Sequence, residues 1–398
     1  MKAVIVGNGI AGVMTASRLR ALEPDPERLS IDVYAREPHD YYARIRLPEV
    51  FASRLSAEDL AVYKPGWYDG KSIRVHRGLA VEAIDRERRR VRLSDGTEAA
   101  YDKLALCAGA ECARPPIAHG DLEGIFTVRE YADADAVRRR MAEGTRHALV
   151  VGGGLLGLEA ARHLSLPGVE VTVAEIAPRL LPRQLDEEGA RILRRLLEGP
   201  AFRVLLGVKA QSFLGDGKVS GLRLEDGREV PAQTVILSAG IAPRTALARE
   251  AGLEVRRGIV VDEHMRTADP DVYAVGDDAE FGGIVWGILP AAMEQAPVAA
   301  ANMLGGAAVY AQTIPQNTLK VAGIHLTSAG RTTFDQGGEE AFTVVRRADE
   351  AAGRYEKYVL GDGKLQGAIL LGTKANLKFV TRTMGRPATE AEVRALPW

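Results

Sequence analysis

The apolar residues of this chain fall into short blocks rather than a continuous alternation. Val4-Ile5-Val6 is a β-branched run that leads through a glycine-rich turn into Val13 to Leu19, a stretch with helical character. A short apolar run without polar alternation fits a strand buried on both faces of a parallel sheet. The same succession returns at His147 to Val151, a second glycine turn, and Leu158 to Leu164. A further strand follows each copy, Ile31 to Ala35 and Val169 to Glu175, and a closing run ends each at glycine, Leu104 to Gly109 and Thr234 to Gly240. The pattern is an internal duplication of one strand–turn–helix–strand plan.

Around these copies, Val81 to Asp85 and Arg90 to Leu93, with Ser94-Asp95-Gly96-Thr97 as a turn, predict a small antiparallel insertion; Asp216-Gly217 and Asp226-Gly227 supply turns in the second half. Helices are expected over Asp133 to Met141 and from Ala291 to about Leu304, and a strand over Asp271 to Asp277. After Thr313, apolar segments at Leu319-Lys320-Val321, Phe342 to Val345, Tyr355 to Leu360 and Leu365 to Leu371, with a short helix near Glu390, read as a separate sheet-containing domain. The fold class is therefore α/β: two Rossmann-like dinucleotide-binding domains and a small C-terminal α+β domain. Expected boundaries are 1–112 with 237–312 for the first, 113–236 for the second, and 313–398 for the last.

The chemistry lies in the two turns. Gly7-Asn8-Gly9-Ile10-Ala11-Gly12 and Gly152-Gly153-Gly154-Leu155-Leu156-Gly157 both spell GxGxxG, whose glycines let amides at a helix N-terminus close on a pyrophosphate. In a chain with 42 glycines one match means little; two matches, each set between strand and helix, predict two bound dinucleotides. Each copy then offers an acid for a ribose hydroxyl. Glu175 stands at the end of its strand, whereas the first copy has Ala35 there, and Glu37, or Arg36 beside it, takes the contact. Asp277, after Gly276, either caps a following helix or accepts from a cofactor hydroxyl, and Arg44 is either a surface cation or a fork onto phosphate.

Composition narrows the picture further. The 398 residues are 46% hydrophobic, ample for several cores, and 52 basic against 53 acidic residues leave no net field to draw nucleic acid. The N-terminal apolar run carries phosphate-turn glycines and no cleavage site, and no apolar run approaches the ~20 residues that span a bilayer, so neither export nor membrane insertion is expected. Two cysteines fit a cytoplasmic setting, and seven scattered histidines give no metal spacing.

In this order, the motifs resemble the FAD-dependent pyridine-nucleotide oxidoreductases, the superfamily of glutathione reductase. The resemblance covers nearly the whole chain and includes Leu106 to Ala110, Gly240-Ile241-Ala242-Pro243-Arg244 and Tyr273 to Asp277. It implies FAD on Gly7, Gly9, Ile10, Ala11, Gly12, Arg36 or Glu37, Arg44, Val81, Ala108, Gly109, Asp277 and Gln295. It implies NAD(H) on Gly152, Gly154, Leu155, Leu156, Gly157, Glu175 and Gly240. Ala108 stands where that family usually has threonine, which removes a hydroxyl but not the backbone contact. The helix after Pro290 would turn its positive end toward a flavin carbonyl.

Within the superfamily, Glu37-Pro38, Tyr42-Ala43-Arg44 and Leu319 to Gly323 resemble NADH:rubredoxin and flavorubredoxin reductases and the FAD module of NADH-dependent nitrite reductase. That resemblance puts Glu159 and Lys320 near the flavin. Cys107 and Cys112 have the spacing of a redox pair but follow the closing strand, and Tyr41 to Ser56 holds no cysteine, so a thiol relay is not expected. The expected activity takes electrons from NADH through FAD to an external acceptor, rubredoxin, ferredoxin or a similar small iron–sulfur carrier, with the protein a monomer or homodimer. Glu175 favours NADH over NADPH, since a carboxylate repels a 2′-phosphate. Two other readings stand beside this one: an NADH oxidase using dioxygen, and a flavin-bearing redox sensor that binds a partner.

Overall fold

The structure, a computed structural model, describes residues 1–334 and 338–398. The chain forms two compact units, one of Met1–Arg44, Leu55–Glu111 and Ile241–Thr313, the other of Ile45–Arg54, Cys112–Gly240 and Ile314–Trp398.

The first unit is built on a five-stranded parallel sheet in the order Val272–Ala274, Lys103–Leu106, Lys2–Val6, Ser30–Ala35, Ile73–Arg77. The opening strand has neighbours on both sides, pairing Val6 with Tyr34 and with Leu106, so the chain order reverses at its C-terminal end. That reversal is where ligands bind in open α/β sheets. The helix Ile10–Leu22 packs against the long helix Leu289–Met303, whose buried face is mostly small: Ala291, Ala292, Ala296, Ala299 and Ala300. An antiparallel insertion, Val81–Asp85, Arg90–Leu93 and Glu98–Ala100, follows the expected turn at Ser94–Thr97.

The second unit repeats the plan. Its parallel sheet runs Phe202–Leu206, Glu170–Glu175, His147–Val151, Thr234–Leu237, Ile125–Phe126, and its antiparallel insertion comprises Ala210–Asp216, Lys218–Leu224 and Glu229–Pro231. The C-terminal domain follows as a five-stranded antiparallel sheet, in the order Gln316–Val321, Ile324–Gly330, Lys364–Leu371, Arg354–Gly361, Thr343–Asp349, with helices Leu377–Thr383 and Glu390–Arg394. A buried polar knot helps fasten it to the nucleotide fold. Lys357, 1% exposed, donates to Asp186 at 2.9 Å and to the Thr332 carbonyl at 3.0 Å, while the Tyr355 hydroxyl donates to the same Asp186 oxygen at 2.7 Å.

Several features differ from the sequence reading. Ile324–Gly330 and Leu377–Thr383 were not expected as elements, and Arg44–Ala52 forms a 3₁₀ helix. Asp277 caps no helix: the short strand Ala279–Phe281 follows it, and the next helix begins at Leu289. Among the described residues, no helix is long and apolar enough to cross a membrane.

Candidate functional site

The two glycine turns, one in each unit, have nearly the same geometry. Gly7 and Gly152 adopt φ of 109° and 120°, and a Cβ on either would lie 2.2 Å from a backbone oxygen of the closing strand's loop, Cys107 or Ser238. A Cβ on Gly12 would lie 1.9 Å from the Gly7 oxygen, and one on Gly157 2.1 Å from the Gly152 oxygen. These four glycines are required by packing of helix on strand. The central ones are different, since a Cβ on Gly9 or Gly154 would meet nothing within 4 Å. Both are helix N-caps without a side-chain cap, so the first-turn amides are left to an anion that fits the open space. A dinucleotide pyrophosphate fits both turns on these grounds.

Around the first turn, Asn8 is fixed by the Tyr68 hydroxyl, which donates to its Oδ1 at 2.9 Å and accepts from the Tyr41 N–H at 3.3 Å. Burial pushes that hydroxyl up to about 12, so it stays a donor. Ala11 packs on Gly276, where a Cβ would come within 2.8 Å of the Ala11 methyl. Gln295, buried in the long helix, accepts the Gly276 N–H at 2.8 Å, so it shapes the Gly276-Asp277 turn from behind. Val81 is buried in the core of this unit and Gly109 takes φ 72° in the loop after the closing strand.

Glu37 lies two residues beyond the strand end at Ala35, and the structure joins it to two other residues that the sequence singled out. Its carboxylate accepts from the Tyr42 hydroxyl and from Arg44 at 2.5 Å, and Arg44 also donates to the Tyr42 hydroxyl at 3.1 Å. Arg36 beside it is exposed. Glu37 and Arg44 thus form one ion-paired cluster, and a carboxylate's remaining lone pairs can still take a ribose hydroxyl.

The residue that sequence reading missed is Asp278. It is fully buried, and its Oδ2 accepts the Ala108 N–H at 2.7 Å, holding the loop that closes on Gly7. Two adjacent acids after a glycine were the available signal, because both cannot face one cofactor. Burial pushes the Asp278 carboxyl well above the usual range, against the pull of the Ala108 and Gly109 amides and with added repulsion from Asp277. A raised acid stabilises the fold fully below its unfolded pKa near ~4, and this stability is lost as pH rises toward the folded value. Asp278→Asn, which keeps the acceptor, is therefore expected to flatten the fall of stability as pH rises above ~4, by at most one proton's share, about 1.4 kcal/mol per pH unit, in urea unfolding. An unchanged slope would show that Asp278 is ionised.

In the second unit, Glu175 is buried at the end of its strand. It accepts the Gly153 N–H at 2.5 Å and the Ala177 N–H at 2.7 Å, and so fixes the turn from below. Arg179 donates to the carbonyls of Leu185 and Pro182, both at 3.2 Å, and so is spent on its own loop. Leu155 is partly buried, Leu156 is exposed at the helix start, and Gly240 has φ 106° with open space on its Cβ side. Glu159, one turn along the helix, binds His163 and the Ala322 N–H, while Lys320 is exposed on its strand. Burial works against the charge of Glu159, but those two hydrogen bonds together with the charge of nearby Arg162 hold the carboxyl below the usual range.

Neither cysteine offers a reactive thiol. Both are unpaired, and burial pushes the Cys107 thiol far up and the Cys112 thiol up as well.

Comparison with known proteins agrees with this geometry. The pyridine nucleotide-disulphide oxidoreductase profile matches residues 1–302, and that of the rubredoxin NAD+ reductase C-terminal domain matches residues 315–385. The chain is 35% identical over 370 residues to a nitrite reductase [NAD(P)H] of Bacillus subtilis, covering 93% of this chain and 45% of that protein. It spans less than half the length of that relative and of several others like it. Over 396 residues it is 33% identical to the ferredoxin–NAD(+) reductase component of the biphenyl dioxygenase system of Paraburkholderia xenovorans, covering 98% of this chain and 94% of that one. The crystal structure of a ferredoxin reductase from Rhodopseudomonas palustris superposes with a TM-score of 0.87 at 27% identity, covering 98% and 96% of the two chains. The chain belongs to the pyridine nucleotide-disulphide oxidoreductase family, whose members bind FAD and NAD(H).

Proposed function

We propose that this protein is an NADH-dependent flavoprotein oxidoreductase that delivers electrons to a small iron–sulfur protein of the rubredoxin or ferredoxin kind. The observation that carries the reading is the pair of matching turns, each with an open central glycine, in a chain whose two cysteines are unpaired and whose thiols burial pushes up. FAD, when bound, supplies the change from two-electron to one-electron chemistry. The chain's own contribution is placement. Amides at Gly9, Ile10 and Ala11 hold one pyrophosphate, and those at Gly154, Leu155 and Leu156 the other. Gln295, through Gly276, and Asp278, through Ala108, hold the two loops beside the first turn. We assign the ribose contacts to Glu37 and Glu175, and cofactor contacts to Arg44 and Asp277.

Choice of nucleotide follows from the second turn. Glu175 already carries two amide bonds yet keeps acceptor capacity for a ribose diol, and Arg179 is committed to Leu185 and Pro182. NADH is expected to exceed NADPH by roughly tenfold or more in kcat/KM, the minimum for one misplaced charge against a carboxylate. Rapid mixing tests the whole reading: NADH should bleach the flavin, and rubredoxin or ferredoxin should restore its colour faster than dioxygen does. Failure of NADH to bleach it would end the proposal, and dioxygen outpacing every carrier would make the protein an oxidase.

A further inference from the structure

Glu159 sits in the second turn of the nucleotide helix Leu155–Leu164, yet one of its partners belongs to the C-terminal domain. Its Oε1 lies 3.2 Å from His163 Nε2, and its Oε2 accepts the N–H of Ala322 at 3.0 Å. Ala322 and Gly323 form the two-residue turn between Gln316–Val321 and Ile324–Gly330, with Val321 paired to Ile324 and φ of 49° and 87° at the turn residues. Both positive φ values match the turn type that hairpin twist favours, but it normally takes asparagine, aspartate or glycine at the first position. Alanine there crowds its Cβ against the following carbonyl oxygen. The outward amide of such a turn has no partner within the hairpin, and here it has a carboxylate.

We propose that Glu159 is a positioning residue that works as a hydrogen-bond acceptor: it straps the 322–323 turn to the nucleotide helix and thereby sets where Lys320, two residues before the turn, is carried. What Lys320 does there rests on the proposed function; the strap does not. A strap of this kind needs an oxygen, not a charge. Glutamine supplies one to Ala322 and turns its amide N–H toward His163, while methionine keeps the stem and lacks the acceptor.

Hydrogen–deuterium exchange of the purified holoprotein tests this on the peptide covering residues 316–330. Glu159→Met is expected to speed exchange at the turn by about tenfold, as for loss of a hydrogen bond to a charged group, and Glu159→Gln to recover most of it. In NADH-driven flavin reduction, Glu159→Met should lower kcat with KM for NADH unchanged, and Glu159→Gln should recover most of that loss. Unaltered exchange in Glu159→Met, or Glu159→Gln tracking Glu159→Met in both measurements, overturns the strap. If wild-type flavin is not reduced by NADH at all, the proposed function fails, and the exchange result still decides the strap.

Discussion

Replacing Gly9 by alanine should leave the protein folded and strip it of FAD. The new methyl group meets no protein atom within 4 Å, and Gly9 has φ −80° and ψ −175°, which alanine adopts without strain. It would stand instead in the space over the uncapped helix end that a pyrophosphate fills. Overpacking of a fitted site costs about 1–3 kcal/mol, which corresponds to roughly 5–150-fold weaker FAD binding. Gly12→Ala makes the contrast, because its methyl would lie 1.9 Å from the Gly7 oxygen and neither backbone can yield cheaply. That variant should lose fold and flavin together. Gly154→Ala should retain flavin and lose affinity for NADH. Titration of apoprotein with FAD, beside circular dichroism, separates the three, and full FAD affinity in Gly9→Ala would remove the first turn as its site.

The second large effect is on stability. Asp186→Ala should destabilise the second unit by about 3–5 kcal/mol, because it leaves the ammonium of Lys357 buried with the Thr332 carbonyl and the face of the Phe334 ring but no counter-charge within hydrogen-bond reach. Asp186 also accepts the Gly189 N–H at 3.1 Å as cap of the helix Glu187–Leu197, and losing a cap typically costs about 1 kcal/mol more. Ser328→Ala, which removes one bond to the Gln184 carbonyl at 3.0 Å, should cost only about 1 kcal/mol. Urea unfolding of the two variants is the check. Equal losses would show that the lysine is not held by Asp186.

Much of this site could be read from the residues alone. Periodicity and the glycine spacing gave the two turns, their helices and their closing strands, because parallel strands covered on both faces must be apolar throughout. Gln295, by contrast, was singled out only through the resemblance to the oxidoreductase family. What stayed hidden was tertiary. Whether Asp277 or Asp278 turns inward is decided by the loop at Ala108, distant in sequence. The Glu159 bond to Ala322 likewise joins elements that no local period connects. Glu37, Tyr42 and Arg44 meet through irregular backbone around a 3₁₀ helix, where no repeat predicts which side chains converge. Lys357 lies in a strand whose residues from Tyr355 to Leu360 are all buried, so alternation would not have shown that a lysine there needs an acid.

The strand order also has a consequence for how the protein is made. The sheet that carries the first turn ends in Val272–Ala274 beside Lys103–Leu106, whereas all five strands of the other sheet fall between Ile125 and Leu237. During synthesis at roughly 5–20 residues per second, the nascent chain must therefore hold its opening sheet unfinished for on the order of ten seconds. Over that interval the inserted fold can close by itself. If the first turn holds FAD as proposed, flavin capture becomes a late event in biogenesis, dependent on the return of a segment translated after the inserted parallel sheet.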